Sequence, residues 1–244
     1  MDRELFVISN ALTDTRVHVA QRFEQLTTTT ERRQLAYFML AYCRQASVLV
    51  GWMSEWSKQL GKLIAPQGKT ELAALMGDIA DKLLQRHQAL TIDVAHLSRW
   101  MQTQFPSCSH FANEEVVISS GMKQLRFVAQ ECIKRSHGES WLLIITELER
   151  LRIVHGFTLI KLCDIHFGHR MLRCFSHIHY QHQHQNELFG LCEHALKSQI
   201  KLQDASITSM IAEVKTAIDA YASFISDCYS LGLRWVKYDK STIN

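Results

Sequence analysis

The stretch SWLLIITELERLRIVHGFTLIKLCDI, residues 140–165, decides the fold. Apolar residues cover most of its circumference when it is wound at about 100° per residue, which is the pattern of a helix packed on several neighbours at once. Its strongest apolar run, Trp141 to Ile145, stops at Thr146, Glu147 and Glu149, far short of the ~18 residues a membrane span needs. A central helix of this kind requires a bundle around it. The chain is therefore expected to be all-α, a single helical-bundle domain over residues 1–244.

The flanking sequence supplies the other helices. Leu5, Ile8, Val19, Phe23 and Leu26 share one side of a first helix, Arg3 to about Leu26. Thr27 to Thr30 followed by Glu31 is a start signal, because threonine caps a helix and an acid favours its positive end. The second helix then runs from about Glu31 to Ile64. Pro66 to Lys69 form a turn, and Thr70 is expected to cap a third helix reaching Gln104. Phe105 to Ser120 is the longest irregular segment. A fourth helix covers Met122 to Arg135 and ends at His137-Gly138. Beyond the central fifth helix and Gly168, a sixth runs from His169 to Leu202 and a seventh from Ala205 to Leu231, with Gly232 as its cap. About seven helices result.

Bulk composition agrees with this reading. The 244 residues hold two prolines and ten glycines, too few to punctuate a strand-and-turn protein. The net charge of +3, from 27 basic and 24 acidic residues of interspersed sign, provides no basic stripe for a phosphate backbone. Nucleic acid and membrane are not expected partners; a small-molecule substrate and, for assembly, a homodimer are. The seven cysteines, 43, 108, 132, 163, 174, 192 and 228, make no C-x-x-C pair and mostly sit in apolar periodic segments. They read as reduced thiols of a cytoplasmic protein. The N-terminus, Met1 to Ser9, is polar and charged without a secretory apolar core.

Thirteen histidines are the unusual feature, eight of them between His155 and His194. On the third helix His87 lies in the stripe of Leu72, Met76, Ile79, Leu83, Leu90, Val94, Leu97 and Met101, with Asp93 on its flank. On the fifth, His155 and His166 fall on the stripe of Trp141, Ile144, Leu148, Leu151 and Leu159, with Glu147 at its edge. On the sixth, His177, Gln181 and His184 stack at spacings of four and three, whereas His179 and His182 share the solvent face. Neutral imidazoles and flanking carboxylates on facing helices are how a bundle holds a transition metal. A metal site is accordingly expected from His87, Asp93, Glu147, His155, His177 and His184. Arg152, near the centre of the fifth-helix stripe, is expected to hold a substrate carboxylate by paired hydrogen bonds. Its alternative is a buried ion pair with Asp93 or Glu147.

Seven helices, about 240 residues, and ligand-like residues on the third, fifth and sixth helices together resemble the haem-oxygenase-like superfamily, and within it the non-haem diiron branch. That branch carries a histidine, an aspartate four residues later and a histidine three further on; His177, Gln181 and His184 keep the spacing with glutamine for the acid. Its first ligand helix has a glutamate two turns before the histidine, where this chain has Ala80, and Asp93 would substitute from the other side. The haem branch would need a histidine on the first helix, and His18 falls off that helix's stripe. What the resemblance implies is an iron-dependent oxygenase or oxidase with two Fe(II) ions. It would use O2 as co-substrate on a small carboxylate-bearing molecule, an amino acid before a fatty acid. The alternatives are a metal-free, thiaminase-like enzyme using Cys163 or Cys132, and a non-catalytic helical binding module.

Overall fold

A computed structural model describes residues 3–27, 31–105, 116–168, 172, 187–198 and 204–241. Among these the regular elements are α1 (Arg3–Ala11), α2 (Thr13–Thr27), α3 (Arg32–Ile64), α4 (Thr70–Gln104), α5 (Ser120–Arg135), α6 (Gly138–Phe167), α7 (Glu187–Ser198) and α8 (Asp204–Ser241), with a 3-10 turn at Ala65–Gln67. The described chain is all-helical, as expected. None of these helices is long and apolar enough to cross a membrane.

Three of the differences from the sequence reading bear on the packing. The first helix is two, broken at Leu12, where the Ser9 carbonyl accepts from the Thr13 hydroxyl at 3.2 Å and from the Arg16 guanidinium at 3.3 Å. Thr70 does not cap α4: it is the first helical residue, and Lys69 holds the cap position without a side-chain bond. Gly232 does not end the last helix, which continues to Ser241. A Cβ there would stand 2.7 Å from the Phe38 nitrogen, so this glycine serves the close crossing of α8 over α3.

α3 and α4 form a long antiparallel hairpin closed by the 3-10 turn and by Gly68, whose φ of 81° lies in the left-handed region. α8 runs against α3, α5 and α6 and also touches α2, making it a second central post beside α6. Every residue from Ser140 to Glu149 is buried, which is what an apolar surface on all sides of α6 demands. Trp141 keeps its indole N–H satisfied there by donating to the Ser57 hydroxyl at 2.9 Å. One continuous buried cluster draws residues from all eight helices, from Ile8 to Val236.

The start of α5 is fixed by side chains from two elements. Ser119 accepts from the Met122 amide at 3.3 Å, and Asp227 of α8 accepts from the Gly121 amide at 3.0 Å. These bonds satisfy N–H groups that a helix start leaves without intrahelical partners.

Candidate anion-binding cavity

α6 presents different residues to different neighbours, and these sort the expected site into groups. Towards α2, Glu147 accepts from Arg16 Nε at 2.8 Å and Nη2 at 2.7 Å, a two-pronged ion pair, and Arg150 Nε approaches it at 3.4 Å. His155, one face-repeat further on, stacks on Phe23 of α2 with ring centroids 4.1 Å apart and planes 7° from parallel. Burial pushes the pKa of His155 down, favouring the neutral ring.

The third-helix candidates face elsewhere. His87 is half-buried, and its Nδ1 lies 2.8 Å from the Ser47 carbonyl of α3 and 3.1 Å from the Ser47 hydroxyl. Asp93 is fully buried and lies near Cys163, whose pKa is raised first by burial and only then by Cys43, Asp164 and Asp93. Among the described residues no three of His, Cys, Asp and Glu converge as a metal-binding group. His177, His184 and Gln181 lie outside the described residues, as do His179 and His182. His18 is exposed and His166 half-buried.

Arg152 is buried, as the stripe analysis expects, and the acid shown to hold it is one the sequence reading did not name for it. It is Glu149, one helical turn back: Arg152 Nε and Nη2 donate to Glu149 Oε2 at 3.2 and 2.7 Å. Arg86 of α4 grips the same carboxylate from the other side, through Nη2 to Oε2 at 2.9 Å and through Nη1 to Oε1. Burial alone would raise the Glu149 pKa; Arg152 and Arg86 reverse this and hold it below the ordinary carboxylate range. Burial likewise opposes the charge on Arg152, and Glu149 overcomes it. Glu149 and Arg152 are therefore both charged at neutral pH.

This cluster lies in the wall of a small cavity of about 40 Å³. That is well below the roughly 300–1,000 Å³ range of small-molecule sites, so the wall must widen to admit anything larger than a few waters. The rest of the wall is apolar: Leu49, Val50 and Met53 from α3, Leu90 from α4, and Phe224 from α8. Tyr42 and Tyr221 add two phenols that share a hydrogen bond, and burial lifts Tyr221 to about 12, so it stays a neutral donor. Four helices, α3, α4, α6 and α8, therefore bring two guanidiniums, one carboxylate and two hydroxyls to one apolar chamber.

No protein-family model, curated protein or solved structure matches the chain. The likeness to the haem-oxygenase-like superfamily accordingly rests on helix number and residue spacing alone. Arg86, Glu149, Tyr42 and Tyr221 were not singled out by sequence. The spacing Glu149–Arg152, i and i+3 on one helix, is the signal that was there to be used.

The two cysteines considered as nucleophiles are poorly placed for it. Burial drives the Cys163 thiol well above its ordinary value and Cys132 up to about 12, with Glu213 adding to the latter. A thiol that stays protonated at neutral pH is a weak nucleophile.

Proposed function

We propose that this chain binds a small carboxylate-bearing molecule in the α3–α4–α6–α8 cavity. The observation that carries the reading is the convergence of Arg86 and Arg152 on Glu149 in an otherwise apolar wall. Guanidinium groups recognise carboxylates through paired, charge-assisted hydrogen bonds, which strengthen where water is excluded. In this scheme Glu149 is a positioning residue, fixing both forks.

Calorimetric titration with 3-phenylpropanoate, octanoate and phenylalanine, each against its primary amide, tests this. At least one acid should bind while its amide does not, and Arg152→Met should weaken that acid about 10- to 100-fold, the worth of one charged hydrogen-bonding group. Glu149 keeps Arg86 as a partner in that variant, so the fold should persist. Equal binding of acid and amide, or no binding of any acid, ends the proposal.

The iron-dependent oxygenase is a second reading, and one described feature favours it. His87 Nδ1 is held by the Ser47 carbonyl, which is how metal-ligating histidines are commonly oriented so that the opposite nitrogen faces the ion. The other described residues fit less well: Glu147 is committed to Arg16 and His155 is stacked on Phe23. They do not make an iron site by themselves, and no chemical step through iron follows from them. Elemental analysis after iron-supplemented expression decides it. The reading requires on the order of two iron ions per chain, as dinuclear bundle sites hold, with most of it lost in His87→Ala; iron-poor wild-type protein rejects it.

A further inference from the structure

Resting on the carboxylate-binding reading, we infer that the Arg86–Glu149 ion pair is a latch: paired, it closes the cavity between α4 and α6, and released, it lets the wall widen around a ligand. A cavity of about 40 Å³ holds a few waters and little more, so binding an organic acid requires a second arrangement of the wall. The α4–α6 seam is where that arrangement costs least. Among the helices that line the cavity, α4 packs along α3, and α8 packs along α3 and α6, whereas α4 and α6 touch sparsely. Both ends of this seam are fastened, by Lys69 with Glu139 at 2.6 Å and by the Trp100 and Phe167 rings with centroids 4.8 Å apart. Between those ties Arg86 reaches across from α4 to Glu149, beside the cavity.

Arg86 is the member that moves. It is the least buried of the trio, its side chain 12% exposed against 9% for Arg152 and 4% for Glu149. Arg152 stands one turn from Glu149 on the same helix and holds its Oε2 by two bonds, so the carboxylate keeps a buried cation when Arg86 leaves. Without that second arginine the swing would strand an unpaired buried charge, and the latch would stay shut. The released guanidinium can take the carboxylate of a ligand in place of Glu149. Each of the two arginines then holds one carboxylate, and charge stays matched in the widened wall.

Cys192 of α7 reports the latch without any ligand. It is fully buried, and its thiol lies close enough to Glu149 and Arg86 to feel both charges. Burial first and Glu149 second push its pKa up to about 12, while Thr146 and Arg86 work against the rise. Loss of the Arg86 charge by itself therefore slows alkylation of Cys192, and a faster reaction means better access. Iodoacetamide labelling of the full chain, read peptide by peptide by mass spectrometry, compares wild type, Arg86→Met and Arg86→Lys. Cys192 in Arg86→Met should react about tenfold faster or more, because the charged hydrogen bonds that hold the closed state are gone. Arg86→Lys, which keeps the charge without the fork, should fall between. Cys228, equally buried in α8 but outside the cavity wall, should not change. If Arg86→Met exposes both cysteines it has loosened throughout, and Arg86→Lys decides: a faster Cys192 with Cys228 unchanged supports the latch, and any other pattern overturns it. An unchanged Cys192 rate in both variants overturns the latch and leaves the carboxylate site standing. The labelling uses no carboxylate, so failure of that site, read by calorimetry, is a separate result.

Discussion

Glu149→Leu is expected to destabilise the protein by about 3–5 kcal/mol, the usual consequence of removing one member of a buried ionic cluster. The loss comes from what remains. Arg86 and Arg152 would keep their charges in a wall with the Leu148 and Leu90 side chains, while the carboxylate that accepts from both is gone. Equilibrium denaturation in urea reads the change directly, and Glu149→Gln should fall between, since its amide still accepts one hydrogen bond. The triple change Arg86→Met, Glu149→Leu, Arg152→Met should recover much of the stability, because apolar residues of similar volume often replace a buried ionic group without loss. It should also abolish carboxylate binding. A Glu149→Leu midpoint equal to that of the wild type would mean that the trio is solvated and the cavity not a closed wall.

The same cluster fixes a pH dependence. Glu149 has a folded-state pKa below its unfolded value, which is about 4.3 for glutamate. Its contribution to stability is therefore complete above that pH and is lost as pH falls towards the folded value. Wild-type stability should decline through this acid window more steeply than that of Glu149→Gln, which has no proton to take up.

Periodicity exposed the fold because α6 is apolar on every side and α3, α4 and α8 are long amphipathic helices. It located Arg152 on a buried face, and the structure puts it there. It did not locate the partner. A stripe tells which side of a helix turns inward, whereas Glu147 and Glu149 are two residues apart and so look to different neighbours, α2 and α4. Only the packing of those neighbours shows that Arg16 meets the first and Arg86 the second. The break at Leu12 was hidden because neither glycine nor proline marks it. Gly232 was misread because a glycine in a helical pattern has two uses, a left-handed cap or a close helix crossing, and sequence does not separate them.

Gly121→Ala should be the most damaging glycine-to-alanine change among the glycines whose surroundings are described. A Cβ at this position would stand 2.2 Å from the Phe224 nitrogen, 2.4 Å from the Ala220 carbonyl oxygen and 2.6 Å from the Phe224 Cα. All three are backbone atoms of α8, so no rotamer change can make room, and the two helices must separate. Overpacking commonly costs about 1–3 kcal/mol where side chains give way; here the cost should exceed that range. Separation would also strain the bond from the Gly121 amide to Asp227, which caps the start of α5. Gly77→Ala is the control: that glycine is exposed within α4, its Cβ would meet nothing within 4 Å, and helix propensity predicts a gain of about 1 kcal/mol. The damage should reach the cavity as well, since Phe224 and Tyr221 lie on its wall one turn apart on the helix that must move. Octanoate affinity measured on whatever folded fraction survives should therefore fall together with the urea midpoint. A Gly121→Ala protein as stable as the wild type would show that α5 does not cross α8 at this distance, and the placement of Phe224 in the wall would go with it.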